Sequence, residues 1–395
     1  MTLPKFDRVY HLLGKQAIPV FICIKTFSDS EHVLYVTSET EKIVKNIENA
    51  LGDEVNRLAV VKVDPFNIDS LSQVFKNETT QHKESKLGFN CTGGTKPMFA
   101  ALLNESQRVK GTAFYLNSDE KQLDFLFPVY RSVPLLPTFS SVYEFIKLAG
   151  YEVNTLNSSK KMHNRNELTR FCWDNRILLS RIQFKISVFN KSPGKPFLVE
   201  NIRPRRSIRV ELLKNGKATI IANNKKLSFD KFTDFAKFLS GEWLEEYVYN
   251  LLLPLKVANQ ILDIKLNICP QWPRQNEFEQ LGKKRKSTIA QEFDITFTDG
   301  YDLYIVECKA GGIKQEHVQK LENLVRNFGG LFGKGIFAAS GSQSKQIQNR
   351  LKNSKSVSSF IGESIHLLPG SLSSLEGGKI FTVNRLPNKT NKRKY

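Results

Sequence analysis

Two acidic residues and a lysine on neighbouring apolar runs carry the strongest chemical signal in this sequence. Asp294 lies in the first run, and Glu307 and Lys309 end the second. The Asp-Gly pair between the runs predicts a two-residue hairpin turn, which would set Asp294 opposite Ile305. Strand alternation then places both carboxylates and the lysine on one face, with Asp294 and Glu307 diagonal neighbours roughly 7 Å apart. At that spacing, both carboxylates can reach one hard cation.

Two carboxylates and a lysine in this arrangement suit hydrolysis of a phosphodiester. The cation would polarise the phosphoryl group, and Lys309 would orient a water molecule or stabilise developing negative charge. The alternative interpretation is a solvated strand face with alternating charges. Leu303, Ile305 and Val306 argue against it, because they are typical of a strand buried on both sides, where unpaired charges are costly.

A third carboxylate is expected from the helix that precedes these strands. Glu245 lies in an apolar segment that includes Trp243 and Tyr247, and it could be a metal ligand or organise metal-bound water. Glu242 and Glu246 are alternatives for the same role.

A separate loop near the start of the chain has the features of an anion cradle. A buried strand at 87–91 is followed by Thr92, Gly93, Gly94, Thr95 and Lys96, with Pro97 opening an apolar helix. Adjacent glycines permit close backbone approach, and a lysine at a helix N-terminus can contact phosphate. The loop matches neither a Walker A nor a GxGxxG motif. The alternative is a plain strand-to-helix turn that uses glycine for its geometry.

The first strand ends in a second loop that would open at the same edge of the sheet. This loop contains Gly14, Lys15 and Gln16, ahead of a helix that starts near Ile18. Because ligands of parallel sheets bind at the carboxyl ends of the strands, the two loops are expected to grip one ligand.

These residues require a scaffold in which strands and helices alternate. Such alternation runs to about Pro128 and predicts an α/β, doubly wound, mainly parallel sheet. A further helix, four strands and two more helices follow from Phe232. We therefore expect domains at 1–137 and 231–395, with 138–230 as a linker or small accessory module of unassigned fold.

Composition narrows the class of partner and the compartment. Lys and Arg number 58 against 39 Asp and Glu, a net charge of +19 that favours a polyanion such as nucleic acid or an anionic nucleotide. Five scattered cysteines without a CxxC pair indicate a reducing cytoplasm, and the histidines form no HExxH pattern. We expect no membrane span and no secretory signal. Basic residues at 203, 205, 206, 209 and 283–286 are candidate phosphate contacts or solvated loops.

The two motif sets together resemble a known family. Asp294 followed by Glu307-Cys-Lys309 is similar to the D…ExK core of PD-(D/E)xK nucleases, although Phe293 stands where that pattern has proline. The string Gly-x-Trp-Leu-Glu-x-x-Val ending at Val248 resembles the helix that precedes this core in one branch. Residues 16–19 and 92–96 resemble ligand loops of the CRISPR-associated Rossmann-fold (CARF) domain. In this order they resemble CRISPR ancillary nucleases of type III systems, the Card and Can family.

The resemblance implies a homodimer whose CARF domains bind cyclic tetra-adenylate and thereby switch on metal-dependent cleavage. It assigns Mg²⁺ or Mn²⁺ to Glu245, Asp294 and Glu307, a catalytic role to Lys309, and cyclic nucleotide binding to Gln16 and the 92–96 loop. The implied substrate is single-stranded DNA or RNA, with nicking of duplex DNA as a further activity.

Two other functions are compatible with the residues. One is a nucleotide-sensing, nucleic-acid-binding regulator without cleavage, which metal dependence would distinguish. The other is an unregulated nuclease whose first domain only dimerises, and this protein would not respond to cyclic oligoadenylates.

Overall fold

The computed structural model describes most of both predicted domains. The described residues are 3–53, 58–153, 166–176, 179, 198–199, 208–212, 217–222, 225–273 and 289–373. The basic run 283–286, the arginines at 203, 205 and 206, and the basic tail from Asn388 lie outside them.

The first sheet has seven strands in the order β3-β2-β1-β4-β5-β6-β7. These are β1 (Arg8–Leu12), β2 (Glu31–Val36), β3 (Leu58–Lys62), β4 (Leu87–Asn90), β5 (Thr112–Asn117), β6 (Gln122–Phe127) and β7 (Arg131–Pro134). The alternating helices are α1 (Ile18–Thr26), α2 (Glu41–Leu51), α3 (Ile68–Thr80) and α4 (Lys96–Arg108). Strands β1 to β5 are parallel, which confirms the predicted doubly wound α/β fold.

The order of the strands reverses direction at β1 and β4. The chain proceeds from β1 outward to β2 and β3, and β4 then returns to the other side of β1. The loops that follow β1 and β4 therefore open side by side at the carboxyl edge, the position where doubly wound sheets bind ligands.

The middle of the chain contributes further elements. These are α5 (Val142–Leu148), β8 (Glu152–Val153), α6 (Asn166–Asp174), and a second sheet of β9 (Leu198–Val199), β10 (Ile208–Leu212), β11 (Ala218–Ala222) and β12 (Lys225–Phe229). Helix α5 packs on α2 of the first domain and also contacts the sheet of the last region, described next. It therefore joins these two parts of the molecule.

The last region contains a mixed five-stranded sheet. Its helical lead-in is α7 (Phe232–Lys237), a π-helical turn (Phe238–Glu242) and α8 (Trp243–Val257). The strands are β13 (Asp263–Ile268), β15 (Phe293–Thr298), β16 (Leu303–Lys309), β17 (Gly333–Ala339) and β18 (Val357–Ile361), adjacent in that order. Strand β14 (Pro270–Gln271) pairs with β8. Helices α9 (Gln315–Gly329), α10 (Lys345–Asn353) and α11 (Leu368–Ser373) and 3₁₀ turns at Gly330–Phe332 and Gly362–Leu367 complete it.

One hydrophobic cluster contains residues of both the first domain and the last domain. It includes Phe21 of α1, Phe145 of α5 and Phe328 of α9, all buried. Shared burial of this kind fixes the two domains against each other. All helices in the described parts of the chain are too short or too polar to cross a membrane.

Candidate active site and candidate ligand site

Strands β15 and β16 and the loop between them form a hairpin, here called the catalytic hairpin after the role that the sequence predicts for it. Thr298 lies opposite Leu303, and Thr296 lies opposite Ile305. The predicted two-residue turn, with Asp294 opposite Ile305, is therefore wrong. The loop has four residues because Asp299 Oδ1 accepts the backbone N–H groups of Tyr301 at 2.9 Å and Asp302 at 2.8 Å.

The longer loop shifts the register by two residues, so every side chain keeps its face. Continued to the end of β15, this register sets Asp294 beside Glu307 instead of diagonal to it. The backbone N–H of Cys308 donates to Asp294 Oδ2 at 2.7 Å, and Lys309 Nζ lies 2.6 Å from Glu307 Oε1. The hairpin thus brings the aspartate, the glutamate and the lysine together.

Glu245 reaches this cluster from the first turn of α8. Burial, and then the charge of Asp294, raises the pKa of Glu245 to about 8. Burial, and then Glu307, raises the pKa of Asp294 to about 7, although the Cys308 N–H and Lys309 oppose the shift. Glu245, Asp294 and Glu307 therefore form one partly buried group of carboxyls in which ionisation is disfavoured.

The two alternative glutamates fall on either side of Glu245. Glu246 is only 6% exposed, and its charge adds to burial in raising the pKa of the buried Cys172 thiol. Glu242 adds to the raised pKa of Glu245. The charge of Asp294 acts directly on the carboxyl group of Glu245.

The donor chemistry of this centre fits a hard divalent cation. Carboxylate oxygens are the ligands that Mg²⁺ prefers, and a cation would offset the burial and the mutual repulsion that raise the carboxyl pKa values. Within the described residues, no three His, Cys, Asp or Glu side chains converge closely enough to hold an ion as they stand.

A histidine that sequence reasoning did not select lies near the cluster. Burial, and then the charge of Lys309, lowers the pKa of His317, in the first turn of α9. His317 Nδ1 accepts the Lys314 backbone N–H at 3.2 Å, so the neutral ring carries its proton on Nε2. The position of His317 in the sequence could have identified it, because the helix that follows β16 must begin near the end of that strand, where Glu307 and Lys309 lie.

The predicted ligand loops lie against each other. A Cβ built on Gly14 would lie 3.4 Å from the backbone nitrogen of Gly94, and one built on Gly93 would overlap the carbonyl oxygen of Leu12. Gly94 has a φ of +78°. Only glycine allows so close an approach together with this backbone conformation.

The two threonines of the second loop hold its shape. Thr92 Oγ1 donates to Asn90 Oδ1 at 2.5 Å and accepts the Leu116 N–H at 2.8 Å. Thr95 Oγ1 donates to the Pro65 carbonyl at 2.5 Å and caps α4 through the Met98 N–H at 3.4 Å. Lys96, the next residue, is exposed at the mouth of the loops.

The first loop also faces the last domain. Lys15 is exposed, and its Nζ lies 3.3 Å from Glu39 Oε2. A Cβ built on Gly330 would lie 2.7 Å from Gln16 Oε1, so Gln16 contacts the end of α9. Lys15, Gln16 and Arg326 line a cavity of about 270 Å³ between the two domains.

Comparisons with solved structures give the same overall fold. Can2 from Sulfobacillus thermosulfidooxidans in complex with cyclic tetra-adenylate is 19% identical, with a TM-score of 0.71 over 93% of this chain and 98% of that one. Protein VC1899 from Vibrio cholerae is 13% identical, with a TM-score of 0.72 over 93% and 97%. A type III CRISPR defence DNA nuclease activated by cyclic oligoadenylate is 14% identical, with a TM-score of 0.55 over 96% and 55%. No curated protein matches the chain.

Two family models match the two sheet-containing regions in order. Residues 9–140 match the Card1 CARF domain, and residues 233–364 match the Card1-like endonuclease domain. The first match contains both ligand loops, and the second contains Glu245 and the catalytic hairpin. The chain therefore belongs to the Card/Can family of CRISPR ancillary nucleases, in which a CARF domain precedes an endonuclease domain.

Proposed function

We propose that the protein is a metal-dependent nuclease of type III CRISPR antiviral defence that is activated by cyclic tetra-adenylate. Its substrates are single-stranded DNA or RNA, with duplex DNA as a further target for nicking. The observation that carries this proposal is the cluster of Asp294, Glu307 and Lys309 on the catalytic hairpin, joined by Glu245.

Glu245, Asp294 and Glu307 would hold Mg²⁺ or Mn²⁺. When bound, the ion supplies Lewis acidity at the phosphodiester and lowers the pKa of a water ligand. The Cys308 N–H fixes the orientation of Asp294. Burial opposes ionisation of Lys309, but Glu307 and Asp294 outweigh it and raise the pKa of this lysine. Lys309 would therefore stay protonated and stabilise negative charge that develops on the phosphate.

The CARF domain is the proposed sensor. Gly14, Lys15, Gln16 and the residues from Thr92 to Lys96 would bind the cyclic nucleotide, with Lys96 as the phosphate contact. A ring with internal symmetry suits a homodimer, because each protomer can present the same loops across a two-fold axis. The proposed division is 1–137 for the sensor, 138–230 for the connecting region and 231–395 for the nuclease, in a reducing cytoplasm.

A nucleotide-sensing regulator that binds nucleic acid without cleaving it is the second candidate function. The net charge of +19 and the two-domain organisation are compatible with this alternative as well.

Cleavage assays separate the two functions. Labelled single-stranded DNA, RNA and supercoiled plasmid are incubated with Mg²⁺ or Mn²⁺, with and without cyclic tetra-adenylate, and with EDTA as a control. Cleavage that requires both metal and activator is the expected result. Binding without cleavage under every condition would favour the regulator.

A further inference from the structure

The loop of the catalytic hairpin contacts the boundary between the sensor domain and the connecting region. The carbonyl oxygen of Gly300 accepts the backbone N–H groups of Thr138 at 2.7 Å and Phe139 at 2.9 Å. Gly300 has a φ of +94°, and a Cβ built on it would lie 2.5 Å from Pro137 Cβ. The backbone of the hairpin loop is therefore in direct contact with the segment that ends the first domain.

A buried ion pair fixes the same loop from a second direction. Lys121, in the turn between β5 and β6, pairs with Asp302, and their side chains are 12% and 3% exposed. The ammonium also lies 4.3 Å from the centroid of the Phe332 ring. A carboxylate buried this deeply is costly unless it is paired, so the contact holds the loop to the sensor domain.

The residues around Phe332 connect this pair to the ligand loop. Phe332 ends the short turn Gly330–Phe332, and Gly330 of that turn is in contact with Gln16. The Gly330–Phe332 turn of the nuclease domain thus contacts both Gln16 of the ligand loop and Lys121.

Strand β16 connects this contact region to the candidate catalytic cluster. Strand β16 starts next to Asp302 and ends with Glu307 and Lys309, a span of roughly 20 Å at about 3.3 Å per residue. Central strands paired on both sides behave as one rigid element, and β16 is paired with both β15 and β17. A movement at the loop is therefore carried to the far end.

We propose that Lys121 of the sensor domain is a positioning residue for the nuclease site, acting through Asp302 and the catalytic hairpin. The regulatory part of this inference rests on the proposed function. Activator binding near Gln16 would shift the hairpin through the contacts of the Gly330–Phe332 turn.

Hydrogen exchange of the full-length, ligand-free protein tests the positioning directly. The double variant Lys121→Met with Asp302→Asn removes both buried charges, which leaves neither one unpaired and preserves folding better than either single change. We expect amides of residues 293–309 to exchange about tenfold faster in this variant. The matched control, Lys62→Met with Glu41→Gln, removes an exposed 2.7 Å pair of the sensor domain and should leave that exchange unchanged.

A charge swap separates pairing from packing. Lys121→Asp with Asp302→Lys retains an ion pair at the same contact, and we expect it to restore slow exchange at 293–309. Unchanged exchange in the neutral double variant, or no recovery in the swap, would overturn the proposal.

Activator added to the same samples separates this inference from the proposed function. In the wild type, cyclic tetra-adenylate should slow exchange at residues 14–16 and 92–96 and change exchange at 293–309. The neutral double variant should retain only the slowed exchange at 14–16 and 92–96. In this variant, the ratio of cleavage with activator to cleavage without activator should fall about tenfold. No effect of activator anywhere would contradict the proposed function, while the ligand-free exchange would still decide the role of Lys121. Activator protection confined to the loops in the wild type would overturn the regulatory part.

Discussion

At the level of single residues, Glu307 has the most direct test. Glu307 is 7% exposed, and its Oε1 lies 2.6 Å from Lys309 Nζ. Glu307→Gln keeps the shape of the side chain but removes a charge from the proposed metal site. We expect cleavage of labelled oligonucleotides to fall by at least roughly a hundredfold, with activator binding unchanged.

The control for this change is Glu316→Gln, because Glu316 is exposed on α9. It should cleave like the wild type. Cleavage retained by Glu307→Gln would remove Glu307 from the assigned site.

Lys96 tests the sensor at the same scale. It is exposed at the start of α4, where a cation can meet a phosphate without prior desolvation. Lys96→Ala should raise the activator concentration for half-maximal cleavage about tenfold, equivalent to about 1.4 kcal/mol. Titration with cyclic tetra-adenylate measures this, and Lys45→Ala on the exposed face of α2 is the control. Equal half-maximal concentrations in both variants would exclude Lys96 as a ligand contact.

The carboxyl cluster makes stability depend on pH. In the metal-free protein the pKa of Asp294 is raised to about 7 and that of Glu245 to about 8, above the values near 4 of unfolded chains. Groups shifted in this direction stabilise the fold fully below about pH 4, and the contribution is lost as the pH rises through 7 and 8. We expect the free energy of unfolding in EDTA to fall between pH 6 and pH 9, and added Mg²⁺ to restore it at pH 9.

Urea titrations at the two pH values measure this effect. Asp294→Asn removes one of the titrating groups and should weaken the dependence on pH. The same slope in the variant and the wild type would contradict the assignment.

At the level of elements, the loop after β4 depends on a glycine. A Cβ at Gly93 would overlap the Leu12 carbonyl oxygen and lie 2.9 Å from the backbone nitrogen of Gly14, so the two ligand loops would have to separate. Gly93→Ala should destabilise the protein by about 1–3 kcal/mol and weaken activator binding.

Thermal melting and calorimetric titration check this prediction. Gly370→Ala on α11 is the control, because a Cβ there has no neighbouring atom within 4 Å. Wild-type affinity in Gly93→Ala would show that the activator does not use the joined loops.

For the whole molecule, the proposal predicts a defined stoichiometry. A symmetric activator on a two-fold axis binds once per dimer, so calorimetry should find one cyclic tetra-adenylate for every two chains. Sedimentation of the same sample should show a dimer. Monomers that each bind one ring would contradict the symmetric arrangement.

The sequence by itself determined the local pattern of this protein. Strand and helix periodicity identified the doubly wound sheet, and the glycines marked the loop after β4. Alternation along β15 and β16 set Asp294, Glu307 and Lys309 on one face. That inference survived a wrong turn length because a shift of two residues preserves the side of every residue.

Tertiary structure alone decided the distances and partners. Packing of α8 brought Glu245 to Asp294. The four-residue loop is a local feature, held by the Asp299 side chain, that the Asp-Gly pair alone did not reveal. Contacts between domains placed Gln16 against Gly330 and Lys121 against Asp302. Periodicity reports which face a side chain occupies, because it depends on local backbone geometry, whereas meetings between residues more than a hundred positions apart depend on how whole elements pack.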